Sequence, residues 1–351
     1  MTFGAGSSPG SVAAAPVDPT PSSISSRAIS FSGAAGWIRR GGSSISPFPQ
    51  RMSAVDCPRN QAHSWDGRTV LPTFLGEPMS QGIQLPFYQV DAFTDKTFSG
   101  NPAAVCLLEA PLSPETMQAT AAEMNLSETA FVQPPNSEGV RKLQWFTPEV
   151  EVPLCGHATL ATAHVLVREK GADPFLLFDT LSGRLTVTEE EDGWLRMDFP
   201  EDPPAPADPP PGLLEALGLP ADTAVLEGQK AWILRVPSEG VIRGLRPDFG
   251  RLGAVALGDR PLGVIVTARG DGEADFVSRF FGPWVGVNED PVTGMAHTLL
   301  TPYWAGEMGV TSLRAEQLSA RGGKLRVRMV GNRVHVFGKA VTVIRGNLVL
   351  P

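Results

Sequence analysis

The sequence has little cysteine, a deficit of positive charge and no long apolar run, and each shortage excludes a class of protein. Three cysteines among 351 residues, without a CxxC pair, argue against a disulfide framework and a structural zinc site and favour the reducing cytoplasm. The formal net charge of −8 argues against nucleic acid as a partner, because phosphate binding needs a basic surface. No apolar run approaches the roughly 18 residues of a membrane span, so no membrane association is predicted.

The first 80 residues differ in composition from the rest of the chain. Residues 1–80 are rich in Ser, Gly, Ala and Pro and contain no lysine, which predicts a disordered extension outside the fold. The first 55 residues contain four arginines and one acidic residue, so a transit peptide for a mitochondrion or plastid is an alternative to cytoplasmic location. An extension without a targeting role stays open, and Met79 is a candidate for the true start.

Two folded halves are predicted beyond this extension, at residues 85–200 and 213–351. Between them, residues 200–212 contain seven prolines and no large apolar side chain, which favours a linker. The apolar pattern predicts mostly strands in both halves, and the last strands are candidates for packing back on the first half. Shorter helices are predicted at residues 114–124, 213–217 and 248–257.

Two segments of similar pattern indicate that the halves are duplicates. Residues 155–171 and 293–309 each open with Gly-x-Ala at the second position and end with a glycine 15 positions after the first glycine. Most residues between are apolar, so each segment predicts a long buried helix that starts and stops at glycine. The sequence therefore predicts a duplicated α+β fold, in which each half is β-rich around one central helix.

The glycines that open these helices, Gly156 and Gly294, are candidates for a ligand site. A helix N-terminus offers unpaired N–H groups and about half a positive charge, and glycine lets a ligand approach the backbone. If a pseudo-twofold axis relates the halves, both helix starts face one cleft suited to a carboxylate. The alternative is that the two glycines serve helix packing alone.

Three polar residues near these positions are candidates for proton transfer. Glu128 shares an apolar strand face with Ala130 and Val132, which predicts a raised carboxyl pKa, unless Glu128 is exposed at a strand edge. Asp290 precedes the second helix and is either a second acid or an anion favoured by the helix dipole. His157 lies in the first helical turn, where the positive helix end favours a neutral, hydrogen-bonding imidazole; a buried, satisfied histidine is the alternative.

Cys155 stands at the N-terminus of the same helix. That position lowers the pKa of a thiol and would suit a base or nucleophile, with simple packing as the alternative. Val292 and Thr293 precede the second glycine, so the repeat offers no second thiol.

His157 and His164 are two helical turns apart, too far to share a metal ion. Without HExxH, Walker or GxGxxG motifs, neither a metal nor a cofactor is predicted.

Six short motifs occur in a fixed order along the folded part. They are DAFT (91–94), GNPAAV (100–105), SETAF (127–131), FTPEVE (146–151), CGHATLA (155–161) and EDPVTG (289–294). Together they resemble the PhzF family of phenazine biosynthesis-like proteins, over about residues 85–350. The resemblance implies a diaminopimelate-epimerase-like fold, with two pseudo-symmetric halves. Each half would be a curved, mostly antiparallel sheet around a central helix, with the site between the halves.

The family resemblance also implies a function. The best-understood member is a cofactor-independent isomerase that moves a proton within trans-2,3-dihydro-3-hydroxyanthranilate. Residue by residue, the motifs make Glu128, His157 and Asp290 the expected catalytic groups. The turns at Gly156 and Gly294 would bind the substrate carboxylate, and the family usually forms homodimers.

Met295 departs from the family pattern, which usually has serine after the second glycine. The change removes a hydroxyl group from the expected substrate pocket. We therefore expect a cofactor-independent isomerase of a small unsaturated carboxylate, without assigning the phenazine substrate itself. Two alternatives stay open: an amino-acid or hydroxy-acid racemase or epimerase that uses Cys155 as one base, and a non-catalytic binding or scaffold protein that keeps the fold.

Overall fold

The computed structural model describes residues 82–258 and 262–350. The predicted extension 1–80, with its transit-peptide and start-site hypotheses, lies outside the described residues. Strands predominate in the described part of the chain, and none of its helices has the length and apolar character needed to cross a bilayer.

Strands and helices alternate in a similar order in the two halves. The first half contains β1 (Ile83–Ala92), β2 (Asn101–Leu107), α1 (Pro114–Met124), β3 (Glu128–Val132), β4 (Val140–Phe146), β5 (Glu151–Val152), α2 (Gly156–His164), β6 (Phe175–Thr180), β7 (Gly183–Glu189) and β8 (Leu195–Pro200). The second contains β9 (Ala205–Pro206), α3 (Leu213–Leu217), β10 (Ala224–Glu227), β11 (Ala231–Arg235), α4 (Glu239–Gly244), α5 (Phe249–Gly253), β12 (Gly263–Arg269), β13 (Phe276–Gly282), β14 (Val287–Asp290), α6 (Ala296–Met308), β15 (Ser312–Gln317), β16 (Gly323–Val330) and β17 (Arg333–Gly338). The final strand is β18 (Ala340–Leu350).

Strand pairing is the same in the two halves. In the first, β1, β2, β3, β4, β6, β7 and β8 pair in succession, parallel at β2–β3 and β4–β6 and antiparallel elsewhere. In the second, β10, β11, β12, β13, β15, β16 and β17 repeat that order, with parallel pairs at β11–β12 and β13–β15. The predicted α+β fold with two pseudo-symmetric, mostly antiparallel halves is confirmed.

Five further pairings complete the sheet, and two of them add short strands antiparallel to a neighbour, β5 to β4 and β14 to β13. β8 pairs antiparallel with β17 and joins the two halves. β18 pairs antiparallel with β1, from Ile83 opposite Leu350 to Ala92 opposite Ala340. β9 pairs antiparallel with β10. β18 thus extends the sheet of the first half beyond β1, and β9 extends that of the second half beyond β10.

The proline-rich segment 200–212 is more ordered than a plain linker, so that prediction is wrong in part. Ala205–Pro206 forms the short strand β9, which tolerates proline because it lies at a sheet edge. Asp202 is buried, and its carboxylate accepts hydrogen bonds from the backbone N–H groups of Gln229 and Lys230 at 3.0 and 3.1 Å. The segment is thus held against β10 and β11.

α1 begins and ends where its capping residues predict. Ser113 Oγ accepts a hydrogen bond from the backbone N–H of Thr116 at 3.2 Å, and Pro114 occupies the first helical position. Asn125 ends the helix in the left-handed conformation, with φ of 50°. The buried side chain of Met117 belongs to an apolar cluster with residues of β1, β2 and β3.

The two predicted central helices are buried, as the duplicated pattern requires. α2 ends at His164, earlier than predicted, and the chain continues as a π-helical turn at Val165–Glu169. α6 extends to Met308 and ends at Gly309, whose φ is 67°. Both helices lie in the largest apolar cluster, which also contains inward side chains of both halves. The helix predicted at 248–257 is limited to α5 and is wrong in its length.

Candidate active site

Gly156 and Gly294 bring the N-termini of α2 and α6 into contact. A Cβ built on Gly156 would lie 3.4 Å from the Cα of Gly294, and the reverse distance is the same. The absence of side chains at both positions permits this close approach. Within the described part of the chain, no side chain caps either helix and no acidic residue lies in either first turn. Two uncompensated positive helix ends therefore converge at one point.

Glu128 opens β3, beside Ala103 of β2. Its Oε2 lies 3.1 Å from Nε2 of His157, at the start of α2. Apart from this ring nitrogen, the buried oxygen meets no donor among the described residues. Burial raises the pKa of Glu128, but the charge of His157 and contacts with His157 and Cys155 outweigh it and lower the pKa below its usual value. The predicted raised pKa is wrong, because the carboxylate faces an imidazole as well as apolar groups.

Cys155 and His157 lie side by side. Cys155 Sγ is 3.6 Å from His157 Nδ1 and 4.0 Å from Nε2. Burial, reinforced by the Glu128 carboxylate, raises the pKa of the Cys155 thiol to about 11. The predicted lowering of this pKa by the helix end is therefore wrong, since desolvation of the thiolate outweighs the helix dipole.

The neighbours of His157 favour its charged form over the predicted neutral ring. Burial disfavours the imidazolium, but Cys155 and Glu128 outweigh burial and raise the pKa of His157 well above 6.5. Because Cys155 stays a neutral thiol, the Glu128 carboxylate supplies the stabilising charge. The site thus contains a close Glu128–His157 pair in which each residue favours the charged form of the other.

Asp290, the last residue of β14, is held by three polar side chains. Asn101 Nδ2 donates to Asp290 Oδ1 at 2.8 Å, and Thr293 Oγ1 donates to Oδ2 at 2.5 Å. Gln317 Nε2 donates to the backbone carbonyl of Asp290 at 2.7 Å and to Thr293 Oγ1 at 3.2 Å. Its Oε1 accepts from the Thr293 N–H at 2.9 Å. Burial raises the pKa of Asp290 to about 6, although His157 and these donors favour the carboxylate.

Asn101 connects the Asp290 and His157 groups. Its Nδ2 lies 3.2 Å from His157 Nδ1 and donates to the carbonyl oxygen of Val292 at 2.9 Å. Asn101 is fully buried at the start of β2, where β2 pairs with the end of β1. One amide therefore contacts both halves of the site.

An ion pair between the buried Asp91 and the partly exposed Arg321 fixes the loop that leads to Asn101. Arg321 donates to Asp91 Oδ1 and to the carbonyl oxygen of Gly100, both at 2.7 Å. Asp91 Oδ2 accepts from the backbone N–H of Phe98 at 2.6 Å. Burial raises the pKa of Asp91, while Phe98 and Arg321 favour its charged form. The loop between β1 and β2 is thereby tied to the segment between β15 and β16.

The predicted residues converge, but the two helix starts are chemically different. Met295 follows Gly294 as His157 follows Gly156, so an apolar side chain occupies the position equivalent to the imidazole. Met295 is half-buried against the largest apolar cluster. Proton-transferring groups are therefore concentrated beside α2.

Sequence reasoning did not single out Asn101, Thr293 or Gln317. Asn101 and Thr293 lie inside the GNPAAV and EDPVTG motifs, so the motifs were the available signal. Gln317 lies in no recognised motif and is 24 positions from Thr293. Its contact is made only when β15 packs beside the turn before α6.

The duplicated halves, with two helix starts meeting beside an acid–histidine pair, define a protein of the diaminopimelate-epimerase-like fold class. The chain belongs to the family of phenazine biosynthesis-like proteins, whose PhzC-PhzF model matches residues 90–346. An uncharacterized isomerase from Pseudomonas aeruginosa is 52% identical over 267 residues, covering 76% of this chain and 99% of that protein.

Similar proteins occur beyond bacteria, and one of the bacterial relatives has a solved structure. Phenazine biosynthesis-like domain-containing protein 2 of Mus musculus is 43% identical over 287 residues, covering 76% of this chain and 99% of that protein. The crystal structure of a PhzF-family phenazine biosynthesis protein from Enterococcus faecalis has a TM-score of 0.70 and 42% identity. It covers 76% of this chain and 100% of its own.

Proposed function

We propose that this chain is a cofactor-independent isomerase that moves a proton within a small unsaturated carboxylate, with Glu128 as the general base. The observation that carries the proposal is the buried Glu128 carboxylate, whose Oε2 lies 3.1 Å from His157 Nε2 and meets no other donor among the described residues. When the imidazole turns toward the substrate, this carboxylate oxygen is available to accept a proton. Relatives 52% and 49% identical to the chain are named isomerases, which supports the reaction class.

Glu128 would break a C–H bond next to the unsaturated system and form an O–H bond, while the electron pair enters that system. The carboxyl proton exchanges with solvent, a proton then returns from Glu128 to another carbon, and the carboxylate is restored. At rest, His157 lowers the pKa of Glu128 and keeps it ionised. A substrate that draws the imidazolium away would leave burial as the main influence on the pKa of Glu128. That pKa would then rise, and Glu128 would become a stronger base. Positioned acid–base catalysis contributes about 10²–10⁴-fold.

The two converging helix starts are the proposed site for the substrate carboxylate. The N-termini of α2 and α6 meet at Gly156 and Gly294, and neither has an acidic residue in its first turn. An anion there would accept backbone hydrogen bonds and neutralise both helix dipoles. Met295 supplies an apolar wall where a hydroxyl is usual, which favours a substrate lacking a polar group at that point.

His157 and Asp290 are the proposed orienting groups. The cationic ring of His157 can donate to charge that develops on the substrate as the proton leaves. Asp290, with a pKa of about 6, is held by Asn101 and Thr293 and can orient a donor of the substrate. Neither role requires a metal or an organic cofactor.

Proton exchange in deuterated water tests the assignment directly. The full chain is incubated with a panel of small unsaturated and amino carboxylates, and deuterium incorporation is followed by NMR. Glu128→Gln should reduce exchange by about 10²–10⁴-fold without changing the circular dichroism spectrum. The matched control is Glu227→Gln, at an exposed strand position, which should keep wild-type exchange. Near-wild-type exchange in Glu128→Gln would rule out this base.

A racemase or epimerase is the second candidate, favoured by one contact. Cys155 Sγ lies 3.6 Å from His157 Nδ1 and could act as a base through that ring. Its pKa of about 11 and the lack of a second thiol near Gly294 rank this reaction lower. Exchange at the α-carbon that survives Glu128→Gln but is lost in Cys155→Ser would select it. A folded protein that catalyses no proton exchange in any carboxylate tested but still binds a protein partner would favour the scaffold alternative.

We also propose a cytoplasmic homodimer. Among the described strands, β18 pairs on one side only, and Ile344 and Val349 on it are exposed. An edge strand with exposed apolar side chains is a ready surface for a second copy. Light scattering measures the oligomeric state of the protein in solution. For the location, a fusion of residues 1–80 to a fluorescent reporter distinguishes the cytoplasm from a mitochondrion or plastid.

A further inference from the structure

The peptide groups that open α2 and α6 are each held by a side chain from the following turn of helix. Thr159 Oγ1 donates to the carbonyl oxygen of Cys155 at 2.6 Å. In the second half, His297 Nδ1 lies 2.9 Å from the carbonyl oxygen of Thr293 and donates to it, because a carbonyl oxygen can only accept. Each donor lies four positions after the carbonyl that it contacts, so the two halves place chemically different donors at equivalent points.

The backbone supports these two carbonyl groups unequally. The carbonyl oxygen of Cys155 also accepts from the backbone N–H of Thr159 at 3.1 Å. In α6, the backbone N–H of His297 bonds instead to the carbonyl oxygen of Gly294, also at 3.1 Å. The imidazole ring is therefore the sole donor to the Thr293 carbonyl within residues 82–258 and 262–350. It replaces the backbone hydrogen bond that normally starts an α-helix.

His297 is a buried histidine that the proposed proton transfer does not use. Its ring packs against Phe276, with 6.0 Å between the ring centroids. Burial lowers the pKa of His297 to about 4, so the ring is neutral near pH 7 and its proton lies on Nδ1. Nε2 is buried and has no hydrogen-bond partner in the described part of the chain. An apolar side chain would be buried here at a lower desolvation cost, so the bond to Thr293 is what the imidazole contributes.

Holding these carbonyl groups also sets the direction of the next N–H group. A peptide bond is trans, so the carbonyl oxygen and the following N–H point in opposite directions. The carbonyl groups of Cys155 and Thr293 point into their own helices, and the N–H groups of Gly156 and Gly294 consequently point out of the helix ends. Neither of these N–H groups donates to another described residue. Two free donors thus lie where the helix starts meet.

The amide of Asn101 adds an unpaired acceptor at the same junction. Its Nδ2 lies 3.2 Å from His157 Nδ1, in the first turn of α2, and 2.9 Å from the carbonyl oxygen of Val292, before α6. Its Oδ1 is buried and meets no donor among the described residues. A buried polar atom without a partner is costly in a folded protein. The junction therefore offers both donors and an acceptor to a bound molecule.

We propose that His297 and Thr159 are positioning residues, which direct the N–H groups of Gly294 and Gly156 toward the substrate carboxylate. The inference rests on the proposed carboxylate site and names the two side chains that shape it. Neither side chain touches the substrate, because each acts through the peptide group whose carbonyl it holds. His297 has the larger effect, since the Cys155 carbonyl keeps a backbone donor when Thr159 is changed.

Amide NMR of the full chain tests this orientation without any turnover. The probe is crotonate, a small unsaturated carboxylate, and crotonamide is its uncharged analogue. Crotonate should move the amide-proton resonances of Gly156 and Gly294 downfield, as expected for hydrogen bonds to an anion, and crotonamide should not. No shift at either glycine at any crotonate concentration would overturn the proposal.

Two pairs of variants separate the hydrogen bond from the shape of the side chain. His297→Leu removes the donor, whereas His297→Asn keeps one, because an asparagine amide nitrogen can take the place of Nδ1. The Kd for crotonate, measured from the Gly294 resonance, should rise about tenfold in His297→Leu and return toward the wild-type value in His297→Asn. Thr159→Val should raise this Kd about twofold, and Thr159→Ser should leave it unchanged.

Thr162 provides the matched control for a purely structural effect. It is also fully buried in α2, and its Oγ1 donates to the carbonyl oxygen of Ala158 at 2.7 Å, away from the junction. Thr162→Val should lose as much stability as Thr159→Val and keep the wild-type Kd for crotonate. An equal rise in Kd in both valine variants would overturn the proposal, because it would reflect helix stability alone.

The outcome for His297 is separable from folding and from the choice of base. A wild-type Kd in folded His297→Leu would contradict the proposal, and if that variant does not fold, a wild-type Kd in Thr159→Val would contradict it instead. If Glu128→Gln exchanges protons like wild type while crotonate still shifts both glycine resonances, the assigned base fails and the positioning role stands. If exchange depends on Glu128 but the glycine resonances do not move, the positioning role alone fails.

Discussion

Gly156 and Gly294 meet at a distance that leaves room for one methyl group and little more. A Cβ on either residue would lie 3.4 Å from the Cα of the other, which is ordinary van der Waals contact. Gly156→Ala should therefore change the free energy of unfolding by less than about 1 kcal/mol, whereas the larger Gly156→Val should cost about 1–3 kcal/mol by overpacking. Urea unfolding measures both values.

The control for this prediction is a glycine without neighbours. A Cβ on Gly346, in β18, would have no atom within 4 Å, so Gly346→Val should not lower stability. If Gly156→Val were as stable as wild type, the helix starts would be farther apart than described. If Gly156→Ala were folded but bound no carboxylate, the methyl group would be blocking the backbone N–H groups.

The raised pKa of Asp290 makes part of the stability depend on pH. Burial raises this pKa from 3.8 to about 6, so the folded state holds the proton more tightly than the unfolded chain does. The resulting stability is fully present below pH 3.8 and is lost as the pH rises through about 6. When the pH rises from 5 to 7.5, the free energy of unfolding of wild type should fall by about 1 kcal/mol relative to that of Asp290→Asn.

Urea unfolding of both proteins at the two pH values checks this difference. Other groups titrate equally in the two proteins, so their contributions cancel in the comparison. A constant stability difference between wild type and Asp290→Asn at both pH values would show that the folded-state pKa is near its ordinary value.

Gln317 is expected to hold the turn between Asp290 and Thr293. Gln317→Leu leaves the Thr293 N–H and the Asp290 carbonyl without their partner, at about 1–3 kcal/mol for each unsatisfied group. Gln317→Glu keeps an acceptor for the Thr293 N–H and should recover part of that loss. Urea unfolding gives the stability, and substrate turnover should fall in parallel because Asp290 loses its support.

A more exposed glutamine provides the comparison for Gln317. Gln144 donates one hydrogen bond to Glu151 and is only half-buried, so Gln144→Leu should cost less than Gln317→Leu. Equal effects of the two leucine variants would mean that the buried amide does not organise the turn.

Arg321 should stabilise the loop before Asn101 through Asp91. Arg321→Met leaves the fully buried Asp91 without its charged partner, and removing one member of a buried pair costs about 3–5 kcal/mol. Because Arg321 is one-third exposed and water screens the pair, we expect Arg321→Met to lower the free energy of unfolding by about 2 kcal/mol. Arg314→Met removes an exposed arginine 3.9 Å from Asp275 and should change stability by less than about 1 kcal/mol.

Thermal and urea unfolding distinguish these two arginine variants. Proton exchange by Arg321→Met should also decrease, since Gly100 and Asn101 lose their anchor. An Arg321→Met protein with the stability of Arg314→Met would show that Asp91 is adequately satisfied by the backbone N–H of Phe98.

The sequence predicted well those helix ends that are determined by capping residues next to them in the chain. Ser113, Pro114 and Asn125 determine both ends of α1, and glycine ends α6 at Gly309. The end of α2 was less predictable, because the sequence contains no helix breaker where the π-helical turn 165–169 begins. β9 was missed because pairing with β10 can order two residues that have no strand pattern of their own.

The members of the site could be predicted more readily than their protonation. The motifs contain Glu128, His157 and Asp290, but the low pKa of Glu128 depends on a ring from another element at 3.1 Å. The Cys155 thiol illustrates the same limit, because burial outweighs a helix dipole that is visible in the sequence. Gln317 could not be found at all without the pairing of β15 with β13.

The pairing of β18 with β1 has a consequence for synthesis in the cell. Partner residues in this ladder are separated by about 250 positions, so the ribosome makes β1 long before the strand that covers it. During translation, the first half must wait with one edge of β1 open to other chains. Completion of the N-terminal sheet is thus a late event, and a nascent chain stalled before residue 340 would expose an edge of β1 that the finished protein covers.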